Sequence, residues 1–229
     1  MKKPIIVANW KMNPATLAEA KQLFDSVKKG IKKACPELNR RVEVVICPPF
    51  IYLPVLEVKG AQDVFWEKKG AYTGEISPKM LKDAGCQYVI IGHSERRKYQ
   101  GETDPMINRK IKAAFNEGLK VILCVEMASQ IKKDLKGIPG RQLKNLILAF
   151  EPVSAIGTGK PYNLEAAKAA HLAILRSLGK DTPVLYGGSV NSQNAADYIK
   201  KAGFRGLLVG GTSLNPKEFI KIVRTVNES

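Results

Sequence analysis

The chain has little of what metal and redox sites need. Of its 229 residues only two are histidine and four are cysteine: Cys35, Cys47, Cys86 and Cys124. None falls in a C-x-x-C or Cys/His spacing that would hold zinc or an iron–sulfur cluster. Unpaired thiols so far apart suit a reducing cytoplasm, so the expected location is cytoplasmic and no metal is expected. Long apolar runs are missing too. The start "MKKPIIVANW" has two lysines, but its apolar run stops at Asn9, too short for a signal peptide or a membrane span. No membrane partner is expected. Pro- or Ser-rich linkers and internal repeats are absent, which speaks for one domain over residues 1–229. Glycine is absent from "ANWKMNPATL", where an open dinucleotide-binding sheet would carry its phosphate-binding turn.

Acidic residues are scarce as well, 21 against 37 Lys and Arg, leaving a net charge of +16. Such an excess can serve a phosphate polymer, because basic side chains release its counterions on binding. Here the lysines come in small pairs, Lys28-Lys29, Lys32-Lys33, Lys132-Lys133 and Lys200-Lys201, without interleaved aromatics or a nucleic-acid motif. We read a solvated basic surface with no nucleic-acid partner, one that helps draw in an anionic substrate.

What is present is a core. With 45% hydrophobic and 25% charged residues, the composition excludes disorder. Short β-branched runs alternate with helical patterns, eight of each. The strands read "PIIVANW", "VEVVICPP", "AQDVFW", "QYVIIGHS", "KVILCV", "LILAFE", "PVLYGG" and "GLLVGG". Continuous runs of this kind suit parallel strands buried on both faces. Between them, Leu17, Ala20, Phe24, Val27 and Ile31 form one amphipathic stripe, and Leu164, Ala167, His171, Ile174 and Leu178 another. Thr103-Asp104-Pro105 and Asn215-Pro216 each place a capping residue before a first-turn proline. "DLKGIPGRQLK" reads as a turn inside the fifth connection.

Eight such units allow a closed (β/α)8 barrel or an open doubly wound sheet. The missing glycine turn favours the barrel, a single-domain α/β fold of TIM-barrel type. Its site then lies at the carboxyl ends of the strands, with a phosphate site after strands seven and eight.

Those ends present Asn9 and Lys11, His93 and Glu95, Glu151, Gly187-Gly188-Ser189, and Gly210-Gly211. Taken alone, "YGGS" and "VGG" could be tight turns. Together, with Thr212 nearby, they let backbone N–H groups cradle a phosphate. Glu151 closes an apolar strand, where a carboxylate becomes a competent base, although it could be a surface residue opening a loop. His93 ends the fourth strand and reads as catalytic, whereas His171 sits on a helical apolar face and reads as packing. Lys11 is either a solvated lysine or a clamp for a developing oxyanion. A carboxylate base, an imidazole, an ammonium and a phosphate cradle suit proton transfer beside a carbonyl, a reaction that needs no cofactor. A non-catalytic barrel binding a phosphate metabolite or nucleic acid is the alternative, and it has no use for a base and an acid side by side.

The motifs "ANWKMN", "GAYTGEIS", "IIGHSERR", "EPVSAIGTGK", "YGGSVN" and "LVGGTSL" closely resemble the triosephosphate isomerase family, in family order and over nearly the whole chain. The resemblance implies interconversion of dihydroxyacetone phosphate and D-glyceraldehyde 3-phosphate, a glycolytic and gluconeogenic step, through an enediolate. It implies Glu151 as base and His93 as neutral electrophile, a pairing for which this family is itself the standard example. Lys11 would stabilise negative charge, Asn9 would orient substrate, and Glu95 would hold the Lys and His region together. Gly157, Ser189, Gly210 and Gly211 would bind phosphate. Pro152, Val153, Ser154, Ala155, Ile156 and Thr158 would belong to a lid that seals the site from water. Thr73 would be the tip of a loop that enters a second copy, implying a homodimer.

Four departures accompany the resemblance. The family usually has Tyr at Phe150, Trp at Ser154, and Cys-Val-Gly-Glu where this chain reads Cys124-Val125-Glu126-Met127; the connection after strand five is also short. The family's hinge Trp and Tyr exchange partners with that Glu as the lid moves, so the resemblance implies a simplified hinge here.

Overall fold

In the computed structural model, which describes residues 3–34, 41–152, 155, 160–179 and 181–228, eight parallel strands form one nearly closed barrel. They are β1 (Ile5–Asn9), β2 (Glu43–Cys47), β3 (Gly60–Ala61), β4 (Tyr88–Ile91), β5 (Lys120–Val125), β6 (Leu146–Phe150), β7 (Val184–Tyr186) and β8 (Gly206–Val209). Their order is β2-β1-β8-β7-β6-β5-β4-β3. At the seam between β2 and β3, Gly60 lies so close to β2 that a Cβ would sit 2.4 Å from Cys47 Sγ. The Gln62 amide also donates to the Cys47 carbonyl there, at 2.8 Å.

Both faces of each strand are apolar because both are covered. Ile5, Val7, Val45, Ile90, Ile122, Ile147, Leu185 and Leu208 fill the barrel interior. The alternate residues, among them Ile6, Ala8, Val89, Leu123, Leu148 and Leu207, meet the helices. Period-two alternation therefore sorts each strand between two cores. The lower mouth is closed by Tyr88, which points inward, donates its hydroxyl to Glu43 and accepts from Lys120 Nζ at 2.9 Å.

Among the described residues the α-helices are α1 (Leu17–Ala34), α2 (Pro78–Asp83), α3 (Ser94–Tyr99), α4 (Asp104–Asn116), α5 (Ala128–Asp134), α6 (Leu164–Leu178), α7 (Ala195–Lys200) and α8 (Pro216–Asn227). They are unevenly shared: β4 is followed by both α3 and α4, and β2 by a short 3-10 turn at Phe50–Tyr52. The expected stripes pack as read, with Ala20, Phe24, Val27, Ala167, His171 and Ile174 buried. Leu17 does not: it lies in the first turn of α1, ahead of the packed segment, and is exposed, while Leu23 takes a place in the core. Asn215 caps α8 by accepting the Glu218 N–H at 3.2 Å. Thr103 stands at the cap of α4 but makes no side-chain cap bond.

Two further expectations are corrected. "AQDVFW" leaves the ladder after Ala61, because Gln62 and Asp63 turn to polar partners and the Phe65 ring packs at a tilt against Trp66 and Tyr72, with centroids 4.1 and 4.8 Å away. "DLKGIPGRQLK" is more than a turn: Asp134 ends α5, and a 3-10 helix at Gly140–Asn145 leads into β6. The lysine pairs face solvent. Cys47, Cys86 and Cys124 are unpaired and buried. No helix among the described residues is long and apolar enough to cross a membrane.

Candidate active site

The inward phase of β1 runs through Ile5 and Val7 to Asn9, and that of β6 through Ile147 and Ala149 to Glu151, so both polar residues extend the barrel interior at its upper end. On β4 the same alternation would send residue 93 outward. Gly92, at φ +72°, resets the phase, a conformation that L side chains rarely adopt. His93 then turns into the site and also caps α3, its Nδ1 accepting the Glu95 N–H at 3.2 Å. A ring nitrogen that accepts carries no proton, so the imidazole is neutral and its N–H is on Nε2. That Nε2 lies 3.1 Å from Glu151 Oε1. The other oxygen, Oε2, accepts the Ser94 N–H at 3.0 Å at the positive start of α3.

Lys11 is the one non-glycine residue among those described with a positive φ, +54°. The strain is held from both sides: its N–H donates to Asn9 Oδ1 at 3.0 Å and its carbonyl accepts from Gln62 Nε2 at 2.8 Å. Its ammonium meets Glu95 Oε1 at 2.5 Å. Glu95 therefore ties Lys11 to the His93 turn.

Asn9, Lys11, His93 and Glu151 share a cavity of about 360 Å3 with Ser189, Gly210, Gly211 and Thr212. The two glycines after β7 serve packing as well as ligand access. A Cβ at Gly187 would stand 3.1 Å from Glu151 Cγ, and one at Gly188 only 2.2 Å from the Tyr186 hydroxyl. Ser189 Oγ donates to the Ala155 carbonyl at 2.6 Å, and Ala155 N–H bonds Pro152 O at 2.7 Å. Val153, Ser154, Ile156, Gly157 and Thr158 lie outside the described residues. Phe150 faces away from the site, its ring 6.0 Å from Tyr162 and 6.4 Å from Phe204.

A second cavity, also about 360 Å3, opens on the other side of Lys11 and His93 and is lined by Met12, Gln62, Asp63, Glu95, Arg96 and Tyr99. Beneath it Asp63 and Glu102 clasp Lys110 and Arg96. Burial pushes the Asp63 carboxyl up to about 6 despite Lys110. Thr73 lines neither cavity. It stands exposed in a loop closed by Phe65 N–H to Ile76 O at 2.8 Å.

A family model described as triosephosphate isomerase matches residues 4–226. The chain belongs to the triosephosphate isomerase family. Its relatives of that name include one from Thermoanaerobacter sp. (strain X514), 42% identical over 97% of this chain and 99% of the relative. Another, from Dictyoglomus turgidum (strain DSM 6724 / Z-1310), is 42% identical over 98% and 100%. A third, from Dehalococcoides mccartyi (strain CBDB1), is 43% identical over 98% and 96%.

Placed on a triosephosphate isomerase chain, most of the expected site converges, and several contributors were not foreseen. Ser94 acts through its backbone, which no side-chain pattern announces. Gln62 was hidden inside a run read as strand. Cys124 ends the inward row of β5 against Glu151; burial first, then the Glu151 charge, holds its thiol far above the ordinary range. His171 is a packing residue, with Nδ1 3.0 Å from Ala202 O and its ring 4.7 Å from Phe204. Burial lowers its pKa. No cluster of metal-ligating side chains occurs among the described residues.

Proposed function

We propose that this chain interconverts dihydroxyacetone phosphate and D-glyceraldehyde 3-phosphate, with Glu151 moving a proton between neighbouring carbons. The reading rests most on the neutral His93 beside Glu151 at 3.1 Å. A carboxylate takes the carbon-bound proton, and the electrons of that C–H bond form the enediolate. His93 Nε2 gives its proton to the oxygen that gains charge and takes up the hydroxyl proton of the neighbouring oxygen, so the carbonyl changes place, and the same carboxylate returns the carbon-bound proton to the adjacent carbon. Substrate replaces the Glu151–His93 hydrogen bond with bonds to its own carbon and oxygen. Lys11 supplies positive charge beside the enediolate, Asn9 orients the substrate, and Glu95 keeps Lys11 and His93 in register. Ser189, Gly210 and Gly211, with Gly157 by family resemblance, hold the phosphate. Pro152 and Ala155 belong to the lid that the resemblance implies.

The working form in this reading is a cytoplasmic homodimer. The exposed loop around Thr73 of one copy fits the second cavity of the other, where Met12 is 92% and Tyr99 68% exposed. The three buried thiols suit a reducing compartment.

A coupled assay of triose phosphate isomerisation tests the chemistry: turnover by the wild type that collapses in Glu151→Gln is expected, and an inactive wild type or an unimpaired variant would refute the reading. For assembly, sedimentation at assay concentration should give a dimer. A fully active monomer would remove the Thr73 role.

A further inference from the structure

Arg97 lies directly below the His93 turn and makes three hydrogen bonds, one to each of three elements. Its Nε donates to the Gly92 carbonyl at 3.1 Å, its Nη1 to Asp104 Oδ1 at 2.7 Å, and its Nη2 to Asp134 Oδ2 at 2.8 Å. The first bond matters for chemistry, because the Gly92 carbonyl belongs to the peptide that carries His93. Gly92 has no side chain to steady that peptide. A Cβ there would lie 3.2 Å from Ile107 Cδ1 and 3.3 Å from Arg97 Nη2, so the guanidinium also packs against its bare face.

We propose that Asp134 is a positioning residue: acting through Arg97 and the Gly92 carbonyl, it holds the His93 turn in its working geometry. The catalytic role of His93 in this statement rests on the isomerase reading above. Asp134 is fully buried at the end of α5, and Asn108 Nδ2 fixes its backbone by donating to its carbonyl at 2.7 Å. No donor reaches its Oδ1, and the Asp104 carboxyl stands beside it. A buried carboxylate with one bare oxygen is costly, and plain packing would be better served by an apolar side chain. Asp104 alone is a poorer anchor. Its side chain is 25% exposed and shared with Lys133 at 3.8 Å, so a guanidinium held only by Asp104 is free to tip outward and release Gly92.

The two histidines of the chain supply a built-in control. His93 accepts at Nδ1, whereas His171 faces a carbonyl with Nδ1 and donates there, so the two rings are opposite tautomers. Nitrogen-15 spectra of the imidazoles in the full-length protein can therefore distinguish them. In Asp134→Ala the His93 ring signals should shift or broaden while those of His171 stay, and kcat should fall about tenfold to a hundredfold with KM changed less than about twofold. Asp134→Asn, whose amide oxygen still accepts from Arg97, should restore the His93 spectrum and most of kcat. Arg97→Lys keeps a cation for the two acids but offers no Nε–H to Gly92, so it should reproduce the His93 shift even where Asp134→Ala does not fold. A folded Asp134→Ala, or an Arg97→Lys, with an unchanged His93 spectrum would overturn the proposal. The spectra do not use turnover. A wild type without activity would thus count against the isomerase reading alone, while an unmoved His93 in an active enzyme would count against Asp134 alone.

Discussion

The two ends of the barrel use the same inward-facing rows for opposite purposes. At the lower end Glu43, Tyr88 and Lys120 satisfy one another, and the Lys120 ammonium also covers the Tyr88 ring at 4.7 Å. These three side chains fill the mouth. At the upper end Asn9, Lys11, His93 and Glu151 are tied to one another and to backbone, yet they surround a cavity of about 360 Å3. The difference lies in side-chain length and in glycine. Tyr88 spans the lower mouth, whereas Gly187, Gly210 and Gly211 leave the upper one open. Burial serves both ends: below it strengthens a plug, and above it keeps the proposed base and electrophile out of water.

Breaking the upper end should have the largest effect. Glu151→Gln is expected to lower kcat by about 10³-fold, in line with loss of a general base, while the amide keeps the fold. Full activity in that variant, read in the coupled assay, would mean that the two ends do not differ in the way argued.

Asp134 lies in the wall between the ends and gives an intermediate effect. Burial, aided by Asp104 and opposed by Arg97, pushes its carboxyl up to about 7 from an ordinary 3.8. Between those values the folded protein keeps a proton that the unfolded chain has lost, so wild-type stability falls as pH rises through this window. Asp134→Asn has nothing to titrate. Its Tm advantage over wild type should therefore widen from about pH 4 to about pH 7 and then level off; a flat difference in thermal melts across that range would contradict the shift.

The lower end offers the smallest change. Tyr88→Phe removes one hydroxyl from a satisfied cluster and should cost about 1 kcal/mol of stability, seen in denaturant unfolding, with kcat unchanged. A loss of activity there would show that the plug communicates with the site.

Much of this arrangement was legible in the chain. The alternation of β-branched runs with amphipathic segments marked all eight strands, and strand-end position alone picked out Asn9, Lys11, His93, Glu95 and Glu151. Legibility failed where a residue's role depends on a distant neighbour. "AQDVFW" has the composition of a strand, but Gln62 and Asp63 follow polar partners on the turn after β1, on β2 and on α4 instead of the ladder. Leu17 fits the helical period yet lies beyond the packed part of α1. The glycines of "YGGS" pointed to a ligand, while their first contacts are Glu151 and Tyr186.

What the amino-acid sequence determined by itself is the repeating unit and its punctuation, because period, propensity and capping act over a few residues. It also determined which chemical groups would stand at the strand ends. Only the closed barrel decided what those groups do. It brings Lys11 against Glu95 across 84 residues and Ser94 against Glu151 across 57. It selects the His93 tautomer through one backbone N–H, and it sets Arg97 between two acids beneath Gly92. Hydrogen bonds and charges depend on distance in space, and no local pattern encodes which distant segments the closing of the barrel will bring within 3 Å of one another.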